Sequence, residues 1–479
     1  MKFLLILQLL AGLFLCIPTA CAADSRPNIL FFITDDESWL ERSAYGWSKL
    51  PTPAFDSVAR QGVLFTNGFT SAPSCAPSRA CVLTGRNFWE LKQGAFIQAF
   101  IPDEFPAFPK LLKNDGYQIG RTGKSWGPGS RPPGIDDKSP VPWFSKRQIA
   151  ERPEFISRLD YAANFNDFLE QRDPERPFFF WAGTGEPHSP YDKDNYKRLE
   201  KEFGMTLDQV SLPPFMDDTL ENRKQRANFL YEICYADQHL GRMLDSLQRA
   251  GILKNTLVVV TSDNGTGLSH AAKSLGKASP YDAGVHEPLA MMWPSRVKAG
   301  RKVTDFVNFS DFAPTFLEAA GSKVPASMSG RSLLPILESP SSGRIEKDRD
   351  SIVTGLEWHG EFDPDSKSSR SIRDDRYAYV VRYANVDAQG KMLGNRALMA
   401  PSQIEFYDLQ NDPWQLNDLV DDPTVSAEKD RLATRLREVG LKTGDPRITG
   451  EMDLFRKTRQ YVQKRKKTGY GKTLELPFE

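Results

Sequence analysis

Cys75 opens the run Cys75-Ala76-Pro77-Ser78-Arg79-Ala80-Cys81-Val82-Leu83-Thr84-Gly85, directly after Ser71-Ala72-Pro73-Ser74. A cysteine on such a turn offers covalent catalysis, Pro77 helps hold the exposed turn, and the Arg79 guanidinium can grip an anion through two N–H donors. Taken alone, the cysteine would read as a small buried residue. Two acidic pairs add a second chemistry. Asp35-Asp36 and Asp263-Asn264 each follow an apolar run and together offer only oxygen ligands, which suit a hard cation such as Ca²⁺ or Mg²⁺ rather than zinc. Either pair alone would be an ordinary helix cap or turn. A third set is cationic: Arg79, Lys124 in Thr122-Gly123-Lys124, His188 in Pro187-His188-Ser189-Pro190, and Lys277 in Gly276-Lys277-Ala278-Ser279, with Lys273 as a nearby competitor. Singly, each of these would be a surface or capping residue. Together they can neutralise charge where it accumulates on an anionic substrate.

These residues need elements that bring distant parts of the chain together. Apolar runs alternate with amphipathic ones, as in a parallel sheet covered by helices. Residues 27–34 read as a buried strand ending at Asp35-Asp36, 55–61 as a helix, 63–65 as a short strand, and 178–182 as a buried strand leading into Glu186-Pro187-His188. Residues 228–250 have helical spacing with Gly251 as the stop signal, and 257–261 form a central strand ending at Ser262-Asp263-Asn264-Gly265. Three strands thus deliver polar loops at their carboxyl ends, where open α/β sheets place ligands. The Ser/Pro/Gly-rich stretch 338–344 reads as a boundary, after which 352–354, 377–382 and 405–408 alternate like short antiparallel strands. The expected fold class is α/β: a mixed, mostly parallel sheet flanked by helices, with a smaller C-terminal antiparallel sheet domain.

The Cys75 run resembles the signature of the formylglycine-dependent (type I) sulfatases, whose C-x-P-S-R cysteine is oxidised after translation to an aldehyde. The resemblance implies that one oxygen of the aldehyde hydrate attacks sulfur and the other expels the sulfate. A bare thiol would hold a stable adduct, whereas a geminal diol can collapse. It further implies an alkaline-phosphatase-like fold and a divalent cation, usually Ca²⁺ with Mg²⁺ as the alternative, held by Asp35, Asp36, Asp263 and Asn264 beside Cys75. Arg79, Lys124, His188 and Lys277 match the family's catalytic cations, Lys277 being preferred to Lys273 for its distance to Glu287-Pro288. The similarity runs from Pro27 through Gly330-Arg331-Ser332-Leu333-Leu334-Pro335 to Tyr407-Asp408-Leu409-Gln410-Asn411-Asp412-Pro413. Gly123-Lys124 with the following Gly127-Pro128, Glu186-Pro187-His188 and Glu287-Pro288-Leu289 look most like the heparan N-sulfatase (sulfamidase) branch.

One departure stands out. The family usually reads G-K-x-H, with a histidine that helps the formylglycine release sulfate, and here that position holds Trp126. An indole donates one hydrogen bond but is no base at neutral pH. His270 and His286, near Lys277 in sequence, are the substitutes at hand, although both also read as structural. Trp126 instead offers a flat face for a sugar ring, or packs its loop against the core. Glu357, His359, Arg370 and Arg373 lie in the second domain, which in sulfatases leans over the pocket rim, where they would read a sugar carboxylate or hydroxyls unless they are solvated loop residues. The function implied is exo-acting hydrolysis of a sulfate ester or N-sulfate on a sulfated saccharide. Two alternatives are a phosphoester or phosphonate hydrolase of the same fold, which a second metal cluster would favour, and a non-catalytic sulfated-glycan binder, against which an intact Cys75 argues.

The chain has 479 residues with 62 Lys plus Arg against 62 Asp plus Glu, so no global charge advertises nucleic acid. Met1-Lys2, the apolar residues 3–17, Pro18 and Ala20-Cys21-Ala22 read as a signal peptide, 1–22, cleaved after Ala22 for export to a periplasmic, secreted or lysosomal-type location. Cys21 is an alternative lipoprotein anchor, although Pro18 stands where leucine is usual. The apolar run is short for a membrane span, and no other stretch resembles one. The domains expected are 23–340 for catalysis, 345–450 for the smaller α+β unit, and a basic tail, 451–479, with Arg456, Lys457, Arg459, Lys464, Arg465, Lys466, Lys467 and Lys472. The remaining cysteines, Cys75, Cys81 and Cys234, are too few for a disulfide framework; if Cys75 is oxidised, Cys81 with Cys234 is the one pair left. The protein partner implied is a formylglycine-generating maturation enzyme.

Overall fold

The apolar heptapeptide Asn28–Thr34 has every second side chain on the same face, and both faces need cover. In the computed structural model, Ile29, Phe31 and Ile33 join a core around Trp181, Phe312 and Phe316, while Leu30 and Phe32 join a second core around Phe165, Phe180 and Leu240. The structure describes residues 26–453 apart from 130–133, 267–274, 358, 360–367, 386 and 390–392, together with a short backbone pairing of Arg465–Lys466 with Gly469–Tyr470. The expected signal peptide, His270, Lys273 and nearly all of the basic tail lie outside the described residues.

The main sheet has seven strands in the order Gln118–Gly123, Phe178–Gly183, Asn28–Thr34, Thr256–Ser262, Leu289–Met292, Val63–Phe65 and Arg301–Val303. Its first four strands are parallel, and Leu289–Met292 runs antiparallel to both of its neighbours. Register matters most at the carboxyl edge. Thr34 pairs with Ser262, Ile33 with Gly183, and Gly123 with Gly183, so Asp35, Asp263, Thr184 and Lys124 all leave the sheet at the same level. Helices Pro53–Gln61, Tyr161–Gln171 and Leu220–Arg249 cover one face, and Cys75–Thr84 and Phe312–Ala319 the other. Leu220–Arg249 starts earlier than its apolar spacing suggests, because the Thr219 side chain caps it by accepting from the Asn222 amide and the first turns are polar. No helix among the described residues is long and apolar enough to cross a membrane.

The second sheet is antiparallel, in the order Ser351–Leu356, Ser368–Asp374, Tyr377–Tyr383 and Pro401–Asp408. Ser368–Asp374 escapes sequence reading because its polar run, SSRSIRD, lacks the usual alternation and is held by ladders on both sides. It carries two residues expected at a substrate rim, and neither is free for one. Arg370 is fully buried, donating from Nε to Asp445 Oδ2 at 2.6 Å and from Nη2 to Glu357 Oε1 at 2.8 Å. Its guanidinium also stacks over Phe88, 4.8 Å from the ring centroid, which ties the second sheet to the segment that follows helix Cys75–Thr84. Arg373 pairs with Asp282 and lies 5.0 Å over Phe69. Glu357 is equally enclosed, its second oxygen accepting from Arg447 Nη2 at 2.6 Å.

Cys81 and Cys234 are both free and buried in different cores, so the disulfide left open by the sequence does not form. Because Arg370 is one member of a buried, saturated network, Arg370→Ala should cost about 3–5 kcal/mol by leaving Glu357 and Asp445 short of a counter-charge. A urea titration checks this, and a variant as stable as wild type would mean that the network is not the anchor of the second sheet.

Candidate active site

Helix Cys75–Thr84 begins at Ser74, which has extended backbone, and ends at Gly85, whose φ of +66° places it in the left-handed region. All ten residues are buried, so Pro77 lies in the first turn of an interior helix rather than in an exposed turn, a place where its missing amide costs nothing. Cys75 is 1% exposed and meets the aligned strand ends. Its Sγ is 3.6 Å from Asp35 Oδ1 and 3.9 Å from Asp36 Oδ1, and it accepts from Lys277 Nζ at 3.0 Å. Burial pushes the thiol up to about 12, against the pull of Lys124 and Lys277. An unmodified thiol there is a poor nucleophile at neutral pH.

Three carboxylates face three cations. Lys124 Nζ lies 2.6 Å from both oxygens of Asp35, and Lys277 Nζ is 2.6 and 2.8 Å from those of Asp36. Burial works to raise Asp35, but Lys124, Arg79 and Lys277 outweigh it and hold the carboxyl below its ordinary value. Arg79 does something other than the anion grip expected of it. Fully buried, it donates from Nε to Asp263 Oδ2 at 2.7 Å and from Nη1 to the carbonyls of Lys124 and Ser125 at 3.0 Å each. It therefore locks the Cys75 helix to one acidic strand end and to the Lys124 loop. Glycine makes that loop fit: a Cβ on Gly183 would stand 1.7 Å from the Lys124 carbonyl oxygen.

Backbone strain appears on both sides of the sulfur. Asp36 has φ +74° and Ala278, beside Lys277, φ +66°, with the Ala278 amide tied to the Pro73 carbonyl at 2.9 Å. Asn264 donates from Nδ2 to Asp36 Oδ1 at 2.8 Å, yet its own Oδ1 is buried with no partner among the described residues. One ligand atom from each of Asp35, Asp36, Cys75 and Asp263 fits within a 4.8 Å spread, and Asp36, Cys75 and His188 form an overlapping group. An orphaned amide oxygen beside three carboxylates suits a hard divalent cation. Both groupings share Asp36 and Cys75, so among the described residues there is one such locus, not two.

The other expected residues divide. His188 joins the site, with Nε2 3.7 Å from Asp36 Oδ2 and a side chain 43% exposed. His359 joins it too, with Nδ1 2.9 Å from Ser74 Oγ. Burial and the charges of Lys277 and its neighbours push its imidazole down to about 4, so the ring is neutral. His286 does not: it is stacked between Trp39 and Phe69, with Nε2 bonded to the Thr66 carbonyl at 2.8 Å. Trp126 is half-buried against the core, with its ring where a Cβ on Gly129 would lie. That is a packing role. Sequence reasoning used Glu287 only as a motif marker, but it is a fully buried carboxyl whose two oxygens have no partner among the described residues. Burial first, then Asp263 and Glu37, hold it well above the ordinary carboxylate range.

Comparison with known proteins agrees with this geometry. The sulfatase family profile matches residues 27–322, and the profile described as N-sulphoglucosamine sulphohydrolase, C-terminal, matches residues 275–442. An ulvan-active sulfatase from Formosa agariphila is 27% identical over 429 residues, covering 86% of this chain and 79% of that protein. The N-sulphoglucosamine sulphohydrolase of Homo sapiens is 27% identical over 498 residues, covering 90% and 94%. A solved structure in complex with its substrate D-glucosamine-2-N,6-O-disulfate superposes with a TM-score of 0.68 at 22% identity, over 88% of this chain and 98% of that one. A phosphonate monoester hydrolase from Silicibacter pomeroyi superposes at 0.64 with 20% identity, over 88% and 97%. Fold likeness therefore leaves sulfate and phosphonate chemistry unseparated. The sequence comparisons favour sulfate, since the profile and the relatives named above are those of sulfatases. The profile runs from the first strand of the main sheet to beyond Lys277 and takes in Cys75 and both acidic strand ends, and the chain belongs to the sulfatase family.

Proposed function

We propose that this sulfatase removes sulfate from a sulfated glucosamine saccharide, the N-sulfate first and O-sulfates second. The observation that carries the chemistry is Cys75 Sγ standing 3.0 Å from Lys277 and within 3.9 Å of Asp35 and Asp36 at one sheet edge. The glucosamine reading draws support from the C-terminal profile over residues 275–442 and from a human relative covered over 94% of its length. Residue 75, as formylglycine, would supply the hydrated aldehyde that attacks sulfur. Asp35, Asp36, Asp263 and Asn264 would hold the cation, Ca²⁺ by preference with Mg²⁺ as the alternative, and its charge would stabilise an oxygen that becomes anionic.

The chain's own residues complete the site. Lys124, on Asp35, and Lys277, on Cys75 and Asp36, bring two ammonium groups to this corner, where the oxygens of a bound sulfate need neutralising. His188, exposed and beside Asp36, is placed to meet the leaving group as sugar departs. Arg79 positions and does not touch substrate. Export past a membrane after cleavage near Ala22, and modification by a formylglycine-generating enzyme, belong to the same reading.

Two outcomes check it. Cys75→Ala should lower kcat by at least about a thousandfold while leaving the melting temperature near wild type, and mass spectrometry of the wild-type peptide should find an aldehyde or its hydrate at residue 75. Full activity of protein whose residue 75 remains a thiol would end the proposal. Adding Ca²⁺ to chelator-treated protein should raise the melting temperature, by an amount equivalent to about 2.7 kcal/mol at a hundredfold excess over Kd. Asn264→Ala should blunt that rise and the return of activity together, and an identical rise in the variant would remove Asn264 from the cation site.

A further inference from the structure

Trp126, two residues after Lys124, leaves that loop without a basic ring. The chain has five histidines. His270 lies outside the described residues, and His286 is sandwiched between Trp39 and Phe69. His239 is buried edge-on to Tyr161 and Tyr235. His188 has Nδ1 tied to the Ser189 carbonyl at 2.6 Å and faces Asp36. His359 is the last, and it arrives from the other sheet.

Its placement is prepared from behind. Glu357, two residues earlier, is clamped by Arg370 and Arg447, which fixes the chain as it leaves strand Ser351–Leu356. The ring then reaches the start of the Cys75 helix, where Nδ1 meets Ser74 Oγ at 2.9 Å. Ser74 is fully buried and immediately precedes Cys75. Lys277, Asp36, His188 and Lys124, the groups around Cys75, are also the charges that act on this imidazole. Its Nε2 has no hydrogen-bond partner among the described residues.

We propose that His359 accepts the proton that must leave residue 75 when sulfate departs, the task that Trp126 cannot perform. The inference rests on the sulfatase reading with residue 75 as formylglycine. With Nδ1–H donated to Ser74 Oγ, the Nε2 lone pair is free. As the O–H bond of the sulfated hydrate breaks, its proton goes to Nε2 and its electron pair forms the aldehyde C=O bond. The C–O bond to sulfate breaks at the same time, and that pair leaves on the sulfate. Water rehydrates the aldehyde, and the imidazolium returns its proton to solvent. Ser74, Glu357 and Arg370 are positioning residues for the ring.

The test uses formylglycine-converted protein with D-glucosamine-2-N,6-O-disulfate as probe. His359→Ala should release the first equivalent of sugar at the wild-type rate and then stall, with kcat down about 100-fold and KM not raised. The residue-75 peptide of the stalled variant should be heavier by one SO3 unit. Added imidazole, or the second change Trp126→His, should restore turnover. Should His359→Ala fail to fold, His359→Asn keeps a hydrogen bond to Ser74 without a basic nitrogen and carries the same readouts. A raised KM with unchanged kcat would put His359 on the sugar instead and overturn the inference, as would slow turnover without the heavier peptide. If the wild type itself releases no sulfate from the probe, the substrate reading fails and takes this inference with it; if the wild type turns over normally and the variant does too, only the inference fails.

Discussion

A carboxylate taken out of water must find compensation, and this site buries three of them within one sheet edge: Asp35, Asp36 and Asp263, each at most 3% exposed. The surrounding fold answers that cost. Arg79 comes from the Cys75 helix, Lys124 from the end of a neighbouring strand, and Lys277 from the loop after the central strand, so each compensating cation pulls a different element onto the same point. Aligned strand registers set the carboxylates at one level, and the ion pairs then fix where the helix and two loops must stand. Removal of any one partner leaves a buried charge, which is why the corner behaves as a unit and not as separate contacts.

Much of this was legible in the chain because it is written in local pattern. Long apolar runs announced the central strands, and the acidic residues immediately after them could only lie at carboxyl ends. Lys124, His188 and Lys277 were found by their company in short motifs, and all three arrive at the site. The failures have a common physical cause. Arg370 and Arg373 look like substrate ligands in sequence because arginine is rarely buried, and only tertiary pairing with Asp445, Glu357 and Asp282 reveals that their charges are already spent inside the protein. Strand Ser368–Asp374 was missed for the same reason, since its polarity is satisfied by partners distant in sequence. Arg79 stands at the site with its Nε on Asp263, and nothing local in the sequence distinguishes a guanidinium aimed at a ligand from one aimed at that carboxylate.

The second sheet is more than a cover for the first. Its arginines, Arg370 buried and Arg373 partly buried, contact Phe88 and Phe69 of the first unit, and His359 meets Ser74 two residues after Glu357, which shares Arg370 with Asp445, more than eighty residues away in the chain. Trp126 packs its loop against the core, while His359 comes to Ser74 from the chain after the first strand of the second sheet.

The enclosure of helix Cys75–Thr84 turns folding into a clock. Every residue of that helix is buried in the finished protein, and the sulfur sits beneath Lys277 with almost no surface of its own. Any enzyme that must handle the Cys75 side chain can do so only on a chain that has not yet closed, so modification and collapse compete for the same nascent segment. On the proposal that residue 75 is modified, the share of molecules that emerge competent would be a ratio of rates, and the unfolded segment, not the native surface, would be what a maturation enzyme has to recognise.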